Sequence, residues 1–174
     1  RVAEEMLEAG ELDAHPTYFE TVTLMGFHVF AERGVERAVV EVGLGGRLDA
    51  TNIVRPELTV ITPVDFDHEA WLGKSIEAIA YEKAGILKAG VRAVVGRQRE
   101  EAGGVILRRA EEVGAPVVEA WREQMLGLAM DAAGCGFVLD GMEIRCSLAG
   151  EHQIENARTA AVALRELGVN RGAI

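Results

Sequence analysis

Apolar residues recur along the chain at two different periods. Residues 2–9 read as a short helix. Between Thr21 and Arg33, the residues Val22, Met25, Phe27, Val29 and Phe30 crowd the pattern and predict a largely buried helix, which Gly34 stops. Residues 38–42 read as a short apolar strand, 58–62 as a second, 93–96 as a third and 116–118 as a fourth. Helices fall between them. One starts at a Ser75 cap, with Glu77 in its first turn, and runs to about Leu87; another covers 102–113. Short continuous apolar strands alternating with helices predict an α/β fold, its mostly parallel sheet flanked by helices on both faces. After about residue 130 the pattern changes. Residues 136–139 and 142–145 flank Asp140-Gly141, a two-residue hairpin signal. A β-hairpin is therefore expected near the C-terminal end, followed by a last helix over 151–167.

Composition narrows the function. The 174 residues suffice for one domain with a core. A net charge of −10 argues against a nucleic-acid partner, which calls for a basic face. No apolar run reaches membrane-spanning length and no leader pattern is visible, so no membrane partner is expected. The two cysteines, Cys135 and Cys146, are too few for a disulfide scaffold and point to the reducing cytoplasm. In the hairpin register they stand opposite each other and read as reduced thiols rather than a bridge. The chain opens at Arg1 inside a helical pattern and ends at Ile174, so it is expected to be part of a longer polypeptide.

Four segments carry chemistry. In the stretch from Glu41 to Asn52 a carboxylate at the end of an expected strand leads into three glycines within four residues, Gly43, Gly45 and Gly46. Arg47, Asp49, Thr51 and Asn52 follow. Open parallel sheets bind ligands at that edge, and glycines let backbone approach a ligand closely. Asp65-Phe66-Asp67-His68 follows the next strand, so Glu41 and His68 are placed to converge on a divalent cation. Lys83 interrupts the apolar stripe Ile76, Ile79, Ala80, Ile86, Leu87. Either its stem packs while its ammonium stays wet, or it is a desolvated amine able to take up carbon dioxide as a metal-binding carbamate. His152 and Asn156 share one face at the start of the last helix, to meet a ligand or to cap the helix. Gly73-Lys74-Ser75 resembles the tail of a P-loop, but His68 stands where that pattern needs its first glycine.

Together these segments resemble the dihydrofolate/folylpolyglutamate synthase branch of the Mur ligase family. The resemblance rests on Glu41 to Asn52, Asp67-His68, Leu72-Gly73, Glu82-Lys83-Ala84-Gly85-Ile86, Gly150, His152-Gln153 and Asn156. It implies the central ligase domain over 1–174, without the P-loop segment and the C-terminal glutamate-binding domain. It implies that Glu41, His68 and a carbamylated Lys83 hold magnesium, two ions in all, and serve catalysis in that way. Leu48, Asp49 and Ala50 match positions that contact the pterin-bearing substrate, with Phe19 beside them. Asn156 matches a residue that contacts ATP, and His152 neighbours it. Pro63-Val64-Asp65 departs from the small residue or glycine expected before the Asp-His pair. The implied reaction adds glutamate to a folate or pteroate through an acyl phosphate, in a protein expected to be monomeric at full length, while the 174 residues alone are expected to be inactive. Two competing readings are a metal-dependent hydrolase using Glu41, His68 and Asp67, and a nucleotide-binding module without activity.

Overall fold

The computed structural model describes residues 2–66 and 68–170, with only the backbone of Glu69 and Ala70. Asp67, named above beside His68, lies outside the described residues. Helix α1 spans Val2–Glu8 and α2 spans Tyr18–Glu32. Three short strands, β1 (Thr59–Ile61), β2 (Ala93–Val95) and β3 (Val117–Glu119), pair in parallel in that order. Between β1 and β2 lie α3 (Glu69–Leu72) and α4 (Ile76–Ala84); α5 (Glu100–Val113) links β2 to β3. A separate antiparallel sheet follows, made of β4 (Met125–Asp131), β5 (Gly134–Leu139) and β6 (Met142–Cys146), and α6 (Glu151–Glu166) closes the order.

Strand β2 explains how the layers join. Its three residues are all buried, and alternate side chains leave it on opposite faces. Ala93 and Val95 pack with Ile61, Ile79, Ala80 and Ile106, so α4 and α5 cover one face. Val94 packs with Phe137, Leu139, Ile144 and Val162, so the antiparallel sheet and α6 cover the other. The expectation of a parallel sheet covered on both sides holds. So does the hairpin register, in which Cys135 pairs with Cys146 and both are free thiols. Burial, reinforced by the neighbouring Cys146 sulfur, pushes the Cys135 thiol up from its ordinary pKa.

Two expectations at the N-terminal side need correction. Residues 38–42 form no strand, and Val39 is fully exposed at 103%. An apolar run becomes a strand only where it finds a ladder partner, and among the described residues it has none; there β1 pairs with β2 alone. Helix α2 forms, but none of its residues is buried: Val22, Met25, Val29 and Phe30 are exposed. It starts at Tyr18, three residues before the pattern suggests, because Thr17 and Glu20 make a reciprocal capping box. Strand β4 was not anticipated. Its run Met125–Met130 is apolar without alternation, and Gly127 at φ 63° lies inside a register shift between Leu126 and Ala129.

Candidate active site

The glycine-rich loop after Glu41 is folded by its own carboxylate. Asp49 Oδ2 accepts hydrogen bonds from the backbone N–H groups of Gly43 (3.0 Å) and Leu44 (2.9 Å). Its Oδ1 accepts from the Thr51 N–H (2.9 Å) and the Thr51 hydroxyl (2.6 Å), capping a short 3-10 turn over Ala50–Ile53. A carboxylate has about four acceptor sites, and these four bonds fill them. Asp49 is thus a brace inside the loop. Burial raises its pKa, but the hydrogen bonds from Thr51, Leu44 and Gly43 outweigh that effect and leave it below the ordinary aspartate value. A depressed native pKa gives stability that is present above the unfolded value, near 4, and lost as pH falls through the native one. Asp49→Asn should therefore flatten the acid limb of a stability-versus-pH curve below about pH 4. An acid limb identical to that of the parent would contradict the brace.

The loop lies directly on the end of α4. Arg47 grips Glu82 through Nε and Nη2, with Nη2 to Oε1 at 2.9 Å, and the Arg47 N–H donates to the Glu82 carbonyl at 2.8 Å. Asn52 Nδ2 donates to the carbonyls of Arg47 (3.0 Å) and Gly85 (3.1 Å), and Lys88 Nζ donates to the Asn52 carbonyl (3.0 Å). Gly46 is buried so close that a Cβ there would lie 2.9 Å from the Glu82 carbonyl and 3.1 Å from that of Lys83. The candidate loop and Lys83 are therefore one structural unit. Lys83 itself is half-buried in the last turn of α4, a helix whose Ile76, Ile79, Ala80 and Ala84 are buried. The Ser75 cap is present, its Oγ accepting from the Ala78 N–H at 3.2 Å. The Arg47–Glu82 pair was not anticipated, since only the fold brings residues 35 positions apart together.

On the loop's other side the Phe19 ring covers Gly43: a Cβ there would meet Phe19 Cζ at 2.5 Å. Phe19 is half-exposed, Leu48 is 80% exposed, and Ala50 is half-buried in the 3-10 turn. Phe19 thus lies against the glycine backbone of the loop, and Leu48 of the same loop is an exposed apolar side chain. Glu41 is exposed just before it, in the extended segment rather than at a strand end. His68 caps α3 with left-handed backbone, φ 47° and ψ 41°, and is exposed.

At the start of α6, Gly150 leaves room for the His152 ring. Gln153 contacts both candidates there: its amide nitrogen lies 3.2 Å from His152 Nε2, and its Oε1 accepts from Asn156 Nδ2 at 3.2 Å. Both His152 and Asn156 are exposed, so the shared face expected from the sequence is present. Gly96, just past β2, joins the regions. A Cβ on it would lie 3.2 Å from Thr159 Oγ1 of α6 and 3.4 Å from Pro63 of the loop before His68. The helix with Asn156 and the loop with His68 therefore both lie at the carboxyl end of the parallel sheet, where such sheets bind ligands.

The Mur ligase middle domain family matches residues 5–164. The chain belongs to this family. It is 42% identical over 156 residues to the dihydrofolate synthase/folylpolyglutamate synthase of Bacillus subtilis, covering 85% of this chain and 36% of that protein. The folylpolyglutamate synthase of Mycobacterium tuberculosis, solved with ADP and AMPPCP, superposes with a TM-score of 0.86 at 33% identity over 96% of this chain and 40% of its own. An FPGS–AMPPCP–folate complex superposes at 0.84 with 31% identity, over 98% of this chain and 44% of that one. This Mur ligase domain therefore spans well under half the length of these relatives.

Proposed function

We propose that this Mur ligase domain is the central part of an ATP-dependent ligase that adds L-glutamate to a folate or pteroate carboxylate. The observation that carries the reading is the joining of the Glu41–Asn52 loop to the end of α4 beside Lys83. It is supported by likeness to a relative named as a dihydrofolate/folylpolyglutamate synthase and to FPGS solved with an ATP analogue and folate. In this reading the substrate carboxylate attacks the γ-phosphorus of ATP and displaces ADP, forming an acyl phosphate. The glutamate amine then attacks the acyl carbon, a proton leaves the nitrogen, and phosphate departs. The pteridine end lies over Phe19, Leu48 and the backbone near Ala50, with Asp49 holding the loop in shape. His152 and Asn156 face the nucleotide.

Glu41, His68 and a carbamylated Lys83 are the residues we assign to hold magnesium. Among the described residues no three His, Cys, Asp or Glu side chains converge on a cage. That donor set suits magnesium, which keeps several waters and takes one or two carboxylates alongside substrate phosphates. Bound there, the ions would neutralise charge on the transferred phosphoryl group.

Cys135 and Cys146 facing each other as free thiols fit a reducing compartment such as the cytoplasm. No helix among the described residues is long and apolar enough to cross a membrane. The intact ligase, given ATP and glutamate, should turn over dihydropteroate or tetrahydrofolate. These 174 residues alone should form no conjugate. Turnover confined to a UDP-muramoyl acceptor would overturn the substrate class, and conjugates made by the domain alone would overturn the need for the rest of the ligase.

A further inference from the structure

The residues after β2 hold the loop that presents His68. Strands β1 and β2 stop pairing at Ile61 and Val95, with one further bond from the Gly96 N–H to the Ile61 carbonyl at 2.8 Å. Beyond that point Pro63 has no N–H with which to continue a ladder. One side chain takes over. Gln98 Oε1 accepts from the Val64 N–H at 2.9 Å, while its Nε2 donates to the carbonyls of Thr62 (2.9 Å) and Gly96 (3.2 Å). A single amide thereby ties both sides of Pro63 to the end of β2, and Val64 beside it is buried at 3%. Next in sequence, Arg99 pairs with Asp65 at 2.9 Å and lies over the Phe66 ring at 5.9 Å. Both members of that ion pair are more than half exposed, so it contributes little. The Gln98 amide is the main clamp.

We infer that Gln98 is a positioning residue for His68: by fixing residues 62–64 it sets where the left-handed turn at His68 places the imidazole. This rests on the proposed metal role of His68. The clamped residues overlap Pro63-Val64-Asp65, the stretch that departs from the small residue or glycine expected there. Gln98→Met keeps the length of the side chain and removes all three hydrogen bonds.

The test has two readouts. In metal-free protein, amide hydrogen exchange at Val64 should be faster in Gln98→Met than in the parent. In the intact ligase, the Mg2+ concentration for half-maximal turnover should rise about 10–100-fold, as for other residues that orient metal ligands. Saturating Mg2+ should restore kcat. His68→Ala, measured alongside, should shift the same Mg2+ curve. Unchanged exchange at Val64 would overturn the clamp. A lowered melting temperature with an unmoved Mg2+ curve, while His68→Ala shifts it, would reduce Gln98 to a structural role. If His68→Ala also leaves the curve unmoved, the metal role of His68 fails and the positioning role falls with it, a cause the control makes visible.

Discussion

Lys83→Ala in the intact ligase is expected to lower kcat by about 10²–10³, the usual cost of removing a group that stabilises developing charge. The expectation comes from its place. Lys83 is half-buried in a helix whose Ile76, Ile79, Ala80 and Ala84 are buried, and its backbone abuts buried Gly46 of the candidate substrate loop. Two chemistries fit a lysine there. As an ammonium it would attract phosphate directly, and Lys83→Arg would then keep part of the activity. As a carbamate, formed when the neutral amine adds carbon dioxide and releases a proton, it would be an anion that holds magnesium. Arginine stays protonated and cannot take that role, so Lys83→Arg should then be as inactive as Lys83→Ala. The second outcome is expected. Turnover unchanged in Lys83→Ala would remove the residue from the site altogether.

Gly85→Ala should destabilise the domain by about 1–3 kcal/mol through overpacking and should also impair turnover in the intact ligase. Gly85 has ordinary backbone angles, so the cause is contact and not conformation. A Cβ there would lie 2.5 Å from Arg47 Cα. A backbone atom cannot rotate aside, so the loop itself must lift from α4, straining the Arg47–Glu82 grip and the Asn52 bond to the Gly85 carbonyl. Gly26→Ala is the matching control. It lies within α2 with nothing within 4 Å of an added Cβ, and there alanine should stabilise by about 0.5–1 kcal/mol through helix propensity. Denaturant midpoints for the two variants should move in opposite directions. Equal shifts would mean that the loop does not rest on α4 as described.

The parallel core was legible because local signals agreed with long-range packing. Ser75 caps a helix whose apolar stripe faces the sheet, β2 reads as continuous apolar residues because both its faces are covered, and Asp140-Gly141 fixes the pairing of Cys135 with Cys146. Where the sequence misled, apolar character had no partner to pack on. Residues 38–42 and helix α2 are as apolar as core elements, yet none of them is buried by the described residues of this domain, and periodicity cannot tell which segment covers an apolar face. The site was legible as a set of residue types but not as a set of roles. The sequence marks Asp49 as a candidate substrate contact but not as the brace of its own loop; Gln98 gave no signal, because its three bonds exist only once β1 and β2 are side by side.

The central claim is that the intact ligase activates a folate or pteroate carboxylate as an acyl phosphate for glutamate. It is tested most directly by following oxygen. The acceptor, labelled with 18O in the carboxylate that becomes the amide, is incubated with ATP, Mg2+ and L-glutamate. The account predicts a product longer by one glutamate, formed with one ADP, and one 18O atom in each phosphate released. Conjugate formed with unlabelled phosphate, or without consumption of ATP, would contradict it.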